Sequence, residues 1–283
     1  MRNEHADDGH RGALRRPHPC RGETSPALCG ADARWLRPQR GGGRTRDPRR
    51  QRMTRRMTEL FDGYHDNYRD VVQSSIDFSG LPHHFFMRAK ADLLGILIAQ
   101  RLDTNRPDML DVGCGVGSLH PLLHGMVGRL SGIDVSSASL AQARADNGRV
   151  DYREFDGRTF PFDDASFDLV TAVCVMHHVV PIEWAQFIAE MRRVTRPGGL
   201  VCVIEHNPYN PLTRLAVARC EFDRDAVLLG AGTTRKLMAA GGLREIGARH
   251  FLLLPWDTRP ARRLEATLSG VPLGGQYAAY GTA

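Results

Sequence analysis

From Met109 onward, short apolar runs alternate with stretches whose apolar residues recur every three to four positions. The runs are Met109 to Val112, Arg129 to Val135, Val150 to Phe155, Asp168 to Val173, Gly199 to Glu205 and Glu245 to Leu254. Each has the length of a strand, and several are apolar without alternation, as strands covered on both faces are. Between them, Ser136 or Ser137 is placed to cap a helix through Arg144. Pro181 is placed to open a helix to Val194, and PGG at 197–199 to stop it. Strand and helix in alternation specify βαβ units, hence an α/β, doubly wound, mostly parallel sheet with helices on both faces. The closing run, GVPLGGQYAAYGT, predicts a seventh, antiparallel last strand reached through a glycine-rich turn. Ahead of the sheet come a polar-aromatic segment, ELFDGYHDNYRDVVQSSIDFSG, and a strongly amphipathic helix from about Phe85 to Leu102.

Composition changes this picture only at the N-terminus. The 42% hydrophobic and 25% charged residues are ordinary globular values, and 283 residues suit one large domain. The net charge of +6 is uneven: residues 1–52 hold 13 Arg against 6 acidic residues, leaving 25 basic and 26 acidic residues beyond. That Arg/Gly/Pro-rich segment has no periodicity, so residues 1–56 are expected to be a disordered tail. It reads as a basic arm or an organellar presequence, or as a tail without function, with Met53 or Met57 as the true start. The remaining body is nearly neutral and lacks a basic stripe with interleaved aromatics, so no nucleic-acid partner is expected. Nor does any run approach the length of a membrane span or a secretory signal, which makes cytoplasmic localisation the expectation. The six cysteines form no CxxC pair, and neither a disulfide nor a metal site is expected.

The chemistry starts at DVGCGVGS, where the first strand ends at Val112 and glycines at 113, 115 and 117 allow a tight turn close to a ligand. A Walker loop needs Lys followed by Ser or Thr after the last glycine, and Ser118 and Leu119 stand there. The dinucleotide pattern GxGxxG needs a glycine where Ser118 stands, which weakens a nicotinamide or flavin reading without removing it. Asp134, about 20 residues after the turn, tips the second strand, where it can accept both ribose hydroxyls or simply cap the next helix. Asp156, after the third run, can take an adenine amino group with Phe155 packed on the ring, or form an Asp-Gly turn.

DVGCGVG, GIDVSSASLAQAR, FPFDDASFDLV, VMHHV and RRVTRPGGL occur in this order from about Met109 to Glu205. Together they resemble the class I S-adenosylmethionine-dependent methyltransferases of the type 11 kind, which implies a Rossmann-like fold and S-adenosyl-L-methionine as cofactor. Carried over by position, the resemblance implies Asp111, Gly113, Gly115 and Gly117 at the methionyl part and Asp134 at the ribose, with Cys114 and Val135 beside them in the expected cofactor-binding set. It puts Asp156 at the adenine, beside the Phe155 already read there, and the backbone near Cys174 along the site. Cys114 is expected to fill space rather than act as a nucleophile.

His177 and His178 follow the fourth strand, at the edge where ligands bind in open α/β sheets. His178 is the preferred general base, with His177 and His206 as further candidates; the alternative is that these imidazoles only shape the pocket. In EHNPYNPLTR, Asn207 and Tyr209 are candidates for the methyl acceptor, or form turns. The segment 206–232 is expected to cover the substrate, with Phe222, Asp223 and Arg224 behind them. Residues 57–105 would form an N-terminal helical lid carrying Tyr64, Tyr68 and Phe78. The implied reaction is in-line displacement of the sulfonium methyl by a small-molecule acceptor, a sugar, lipid-linked compound or secondary metabolite. A non-catalytic cofactor-binding protein and a nucleotide-dependent oxidoreductase are the rival readings.

Overall fold

The structure, a computed structural model, describes residues 68–254 and 258–283. The expectations for the tail at 1–56 and for Tyr64 lie outside the described residues, as does the side chain of Tyr68. In chain order the elements are α1 (Tyr68–Ile76), α2 (His83–Arg101), β1 (Met109–Val112), α3 (His120–Leu123), β2 (Leu130–Asp134), α4 (Ser137–Asp146) and β3 (Asp151–Glu154). Then follow β4 (Phe167–Val173), α5 (Trp184–Val194), β5 (Thr195–His206), α6 (Pro211–Arg219), α7 (Ala231–Ala240), β6 (Arg244–Phe251), α8 (Arg259–Leu268) and β7 (Gln276–Thr282).

The seven strands form one sheet in the order β3-β2-β1-β4-β5-β7-β6. β1 pairs parallel with β2 and β4, while β7 runs antiparallel between β5 and β6. Period-two geometry explains the continuous apolar strands, because successive residues feed opposite faces. In β5, Leu200, Cys202 and Ile204 join one core with α2 and α4, and Val201 and Val203 join the other with α5 and α7. After β3 the chain crosses back to lay β4 against the other side of β1. This reversal opens a crevice at the carboxyl ends of β1 and β4.

Two sequence expectations change. PGG does not stop a helix: α5 ends at Val194 and the glycines lie inside β5, with Gly198 at φ +81°. The pairing with β4 jumps there, from Phe167↔Thr195 to Leu169↔Leu200, and a Cβ on Gly199 would sit 2.8 Å from the Asp168 carbonyl oxygen. The glycines therefore form a bulge that the neighbouring strand presses against. The segment 57–105 is also more than a lid, since α2 buries Ala91, Leu93, Leu94, Leu97 and Ile98 in the core. Among the described residues, no helix is long and apolar enough to cross a membrane.

Because Leu97 is fully buried where α2 meets the sheet, Leu97→Ala is expected to cost ~2–5 kcal/mol. Urea unfolding checks this as a lower midpoint with an unchanged slope; a wild-type midpoint would mean that α2 is not part of the core.

Candidate active site

A cavity of about 280 Å³ opens at the carboxyl ends of the central strands. The turn after β1 forms its floor, and its three expected glycines serve three different purposes. Gly113, at φ +69°, has no room for a side chain, because a Cβ would come within 2.5 Å of Val175. Gly115, at φ +52°, has nothing within 4 Å of that position and leaves its backbone open to the cavity. Gly117, at φ +69°, is crowded instead by the Tyr152 hydroxyl at 2.7 Å and does not line the cavity.

Asp111 lines the floor and is held from behind. The Thr171 hydroxyl donates to its Oδ1 at 2.8 Å, and His120 Nε2 lies 3.2 Å from its Oδ2. The other nitrogen of that ring is 2.6 Å from the Tyr152 hydroxyl. His120 thus orients a cavity carboxylate from a fully buried position. Asp134 also lines the cavity, with Gly115 N donating at 2.8 Å and Ser136 N at 2.9 Å. Burial nevertheless raises its pKa above the usual carboxylate value. The helix cap is supplied by Ser136, whose hydroxyl accepts from Ser139 N, so Asp134 is not needed for it.

Val135, Phe155 and Cys114 are in the lining as well. Burial, and then the charges of Asp134 and Asp111, push the Cys114 thiol well up, which suits packing and not nucleophilic attack. Asp156 does not reach the lining. Its carboxylate accepts from Arg158 N at 2.9 Å and Thr159 N at 2.8 Å in an exposed turn, and Phe155 and Gly157 face the cavity in its place.

The opposite wall is an ion network. Glu205, fully buried at the end of β5, accepts from Val175 N at 3.0 Å and Met176 N at 2.7 Å, and its Oε2 is 2.6 Å from His177 Nδ1. His177 Nε2 faces Asp223 at 3.3 Å, and His178 Nε2 lies 3.5 Å from the same oxygen. Burial opposes charge on His177, but Glu205 and then Asp223 outweigh it and hold the imidazole protonated. His178 goes the other way: burial, reinforced by the adjacent His177 charge, brings it down to about 3. Burial likewise resists charge on Cys174 and His206. The charge of Lys90, followed by His206, brings the thiol to about 7, and Cys174 raises His206. Cys174 itself sits at φ +58°. His177, His206 and Asp223 place one donor atom each within 4.8 Å of one another. Both ring nitrogens of His177 are engaged by carboxylates.

Of the remaining expected residues, Asn207, Tyr209, Phe78 and Arg224 are not brought to this cavity. Asn207 is buried outside the lining, and its amide donates to the carbonyls of Pro272 at 3.0 Å and Gly274 at 2.8 Å. Tyr209 is 75% exposed, with its ring against Gly230. Phe78 packs against the Arg219 guanidinium, and Arg224 lies on a separate surface depression. Phe222 and Asp223 do line the cavity. Sequence reading passed over Lys90 and Gln276, both buried in the wall. Lys90 had a signal: with His83, Phe86 and Met87 it follows i, i+3, i+4, i+7 on α2, a charge on the face meant for burial.

Residues 110–203 match a family described as "Methyltransferase domain". Residues 110–203 are therefore read as a methyltransferase domain. A probable S-adenosylmethionine-dependent methyltransferase of Mycolicibacterium smegmatis is 33% identical over 157 residues, 50% of this chain and 60% of that protein. A demethylmenaquinone methyltransferase of Chlorobaculum tepidum is 34% identical over 100 residues, 35% of this chain and 40% of the other. The domain thus spans less than two thirds of either relative. In fold it is similar to a solved Thermotoga maritima structure described as an S-adenosylmethionine-dependent methyltransferase, possibly for histamine. The TM-score is 0.56 at 18% identity, covering 80% of this chain and 99% of that one.

The cavity of this methyltransferase domain fits S-adenosylmethionine, the cofactor of the family. The Gly115 backbone is open, Asp134 is a buried acceptor, and the Ser118 hydroxyl and Gln276 Oε1 are buried without a partner in the same lining.

Burial opposes ionisation of Asp223, but His177 outweighs it and holds the carboxyl at about 2. A depressed folded pKa gives stability that is present above the unfolded value and lost as pH falls through the folded one. Between about pH 4 and pH 2, Asp223→Asn is therefore expected to lose stability less steeply than wild type. Urea unfolding across that window checks it, and equal slopes would refute it.

Proposed function

We propose that this chain transfers the methyl group of S-adenosylmethionine to an apolar small-molecule acceptor. The observation that carries the reading is the cavity at the β1/β4 switch point, where Gly115 backbone and the Asp134 carboxylate face a wall of histidines. In this reading Asp111, Gly113, Cys114 and Gly115 hold the methionyl part, Asp134 and Val135 the ribose, and Phe155 with Gly157 the adenine. When bound, the cofactor supplies a methyl group already activated by its sulfonium.

The chain's own contribution is position and exclusion of water. His177, fixed as an imidazolium between Glu205 and Asp223, sets the orientation of its neighbour. His178, at about 3, is a neutral imidazole at pH 7. It orients the acceptor's hydroxyl or amine by hydrogen bonding without retaining its proton, which modifies the general-base role expected from sequence. Val72, Ile76, Phe86, Met87, Val217 and Phe222 give the remaining wall an apolar character. Such a wall favours a lipid-linked compound or secondary metabolite over a sugar. Two relatives carry names of that kind, the demethylmenaquinone enzyme and a phosphatidylethanolamine N-methyltransferase of Cereibacter sphaeroides, 34% identical over 123 residues.

Calorimetry with S-adenosylmethionine tests the reading, with saturable binding at micromolar concentrations expected, on the order of −8 kcal/mol; no heat at millimolar concentrations would sink it. His178→Ala is expected to lower turnover roughly a hundredfold while leaving cofactor affinity within about twofold. Unchanged turnover on the acceptor would remove His178 from the reaction.

A further inference from the structure

Lys90 is 5% exposed and lines the cavity from α2, yet among the described residues it has no hydrogen bond or ion pair. An ammonium held in a mostly apolar cavity wall gains from an anionic partner. The carboxylates in and just behind the cavity wall do not relieve it, since each is committed elsewhere, Glu183 to Arg158 at 3.0 Å. Glu205 is taken by Val175 N, Met176 N and His177, and Asp223 by His177 and His178. Asp111 is taken by Thr171 and His120, and Asp134 by Gly115 N and Ser136 N. Lys90 is a positive charge lining the cavity.

A second observation points to the same wall. Gln276 donates from Nε2 to Cys174 Sγ at 3.5 Å and lies 3.4 Å from His206 Nδ1, while its Oε1 is buried without a partner. Cys174 is also the group on which the Lys90 charge acts. A cation and an unpaired acceptor therefore share one cavity lining with Cys174.

We propose that Lys90 seats the carboxylate of a ligand in this cavity, with Gln276 Oε1 receiving a donor group of the same ligand. The carboxylate has two possible sources: the amino-acid end of the cofactor, which rests on the methyltransferase reading, and an acid group on the acceptor. Either way the seat is charge-specific. Arg keeps the interaction and Met, of similar length and apolar, abolishes it.

Calorimetry on the full chain separates the sources, using wild type, K90M and K90R. The probes are S-adenosylhomocysteine, 5′-methylthioadenosine, which lacks the amino-acid end, and benzoate added to protein saturated with S-adenosylhomocysteine. If the cofactor supplies the carboxylate, K90M binds S-adenosylhomocysteine roughly tenfold to a hundredfold more weakly. Methylthioadenosine affinity then stays within about twofold, and K90R recovers most of the loss. If the acceptor supplies it, both nucleosides bind K90M as they bind wild type, and benzoate binding is lost in K90M and restored in K90R. K90M indistinguishable from wild type toward S-adenosylhomocysteine and benzoate overturns the seat. So does an equal loss for both nucleosides, which would mark general damage to the pocket. The thermal midpoint of K90M, expected at or above that of wild type because an unpaired charge is removed, verifies that the variant folds. Failure of wild type to bind either nucleoside counts against the cofactor reading, and benzoate offered to cofactor-free protein then decides on Lys90 alone.

Discussion

The buried carboxylate of Glu205 is the constraint around which the acceptor side of the cavity is built. At the tip of β5, with no exposure to solvent, it must be satisfied from within the fold. It is satisfied by two backbone N–H groups of the turn after β4 and by the His177 ring. Those bonds tie together two adjacent strand ends and fix the turn that carries Val175, His177 and His178. The path of that turn also puts the Val175 side chain over Gly113, so the floor of the cavity depends on the same carboxylate.

Charge in the cavity is therefore arranged in two tiers. Asp111 and Glu205 are each supported from behind by a histidine, His120 for one and His177 for the other. Such supports hold their carboxylates in one orientation before any ligand arrives, which is the condition for precise positioning. The histidines differ in consequence. His120 faces a tyrosine hydroxyl, whereas His177 lies between two carboxylates and keeps its proton, and burial together with that charge keeps the neighbouring His178 neutral.

Much of the fold was legible because the strands are buried on both faces. Met109–Val112 has the bounds read from its apolar run, and the cap at Ser136 was visible as a short polar side chain just before a helix. PGG was misread because a strand bulge and a helix stop both ask for glycine, and only the approach of the Asp168 carbonyl distinguishes them. On the site, residues of the strand tips were legible because topology alone carries them to the crevice. Asp156, Asn207 and Tyr209 were not, since loop polarity does not say whether a side chain turns inward. Asp156 and Asn207 spend their polar atoms on nearby backbone, and Tyr209 lies on the surface. Lys90 was overlooked because a charge on an amphipathic helix is ordinarily assigned to the solvent face, and its placement becomes clear only once the register of α2 is known.

The position of β7 determines the order in which the sheet can be completed. β6 pairs with β7 and with no other described strand, so it must wait for a segment that follows it in the chain. Until that segment arrives, β5 presents an open hydrogen-bonding edge, the kind of surface on which partly folded chains pair with one another. Gln276, the first residue of β7, is also part of the cavity wall. Pairing of one strand therefore both closes the vulnerable edge and completes the cavity wall.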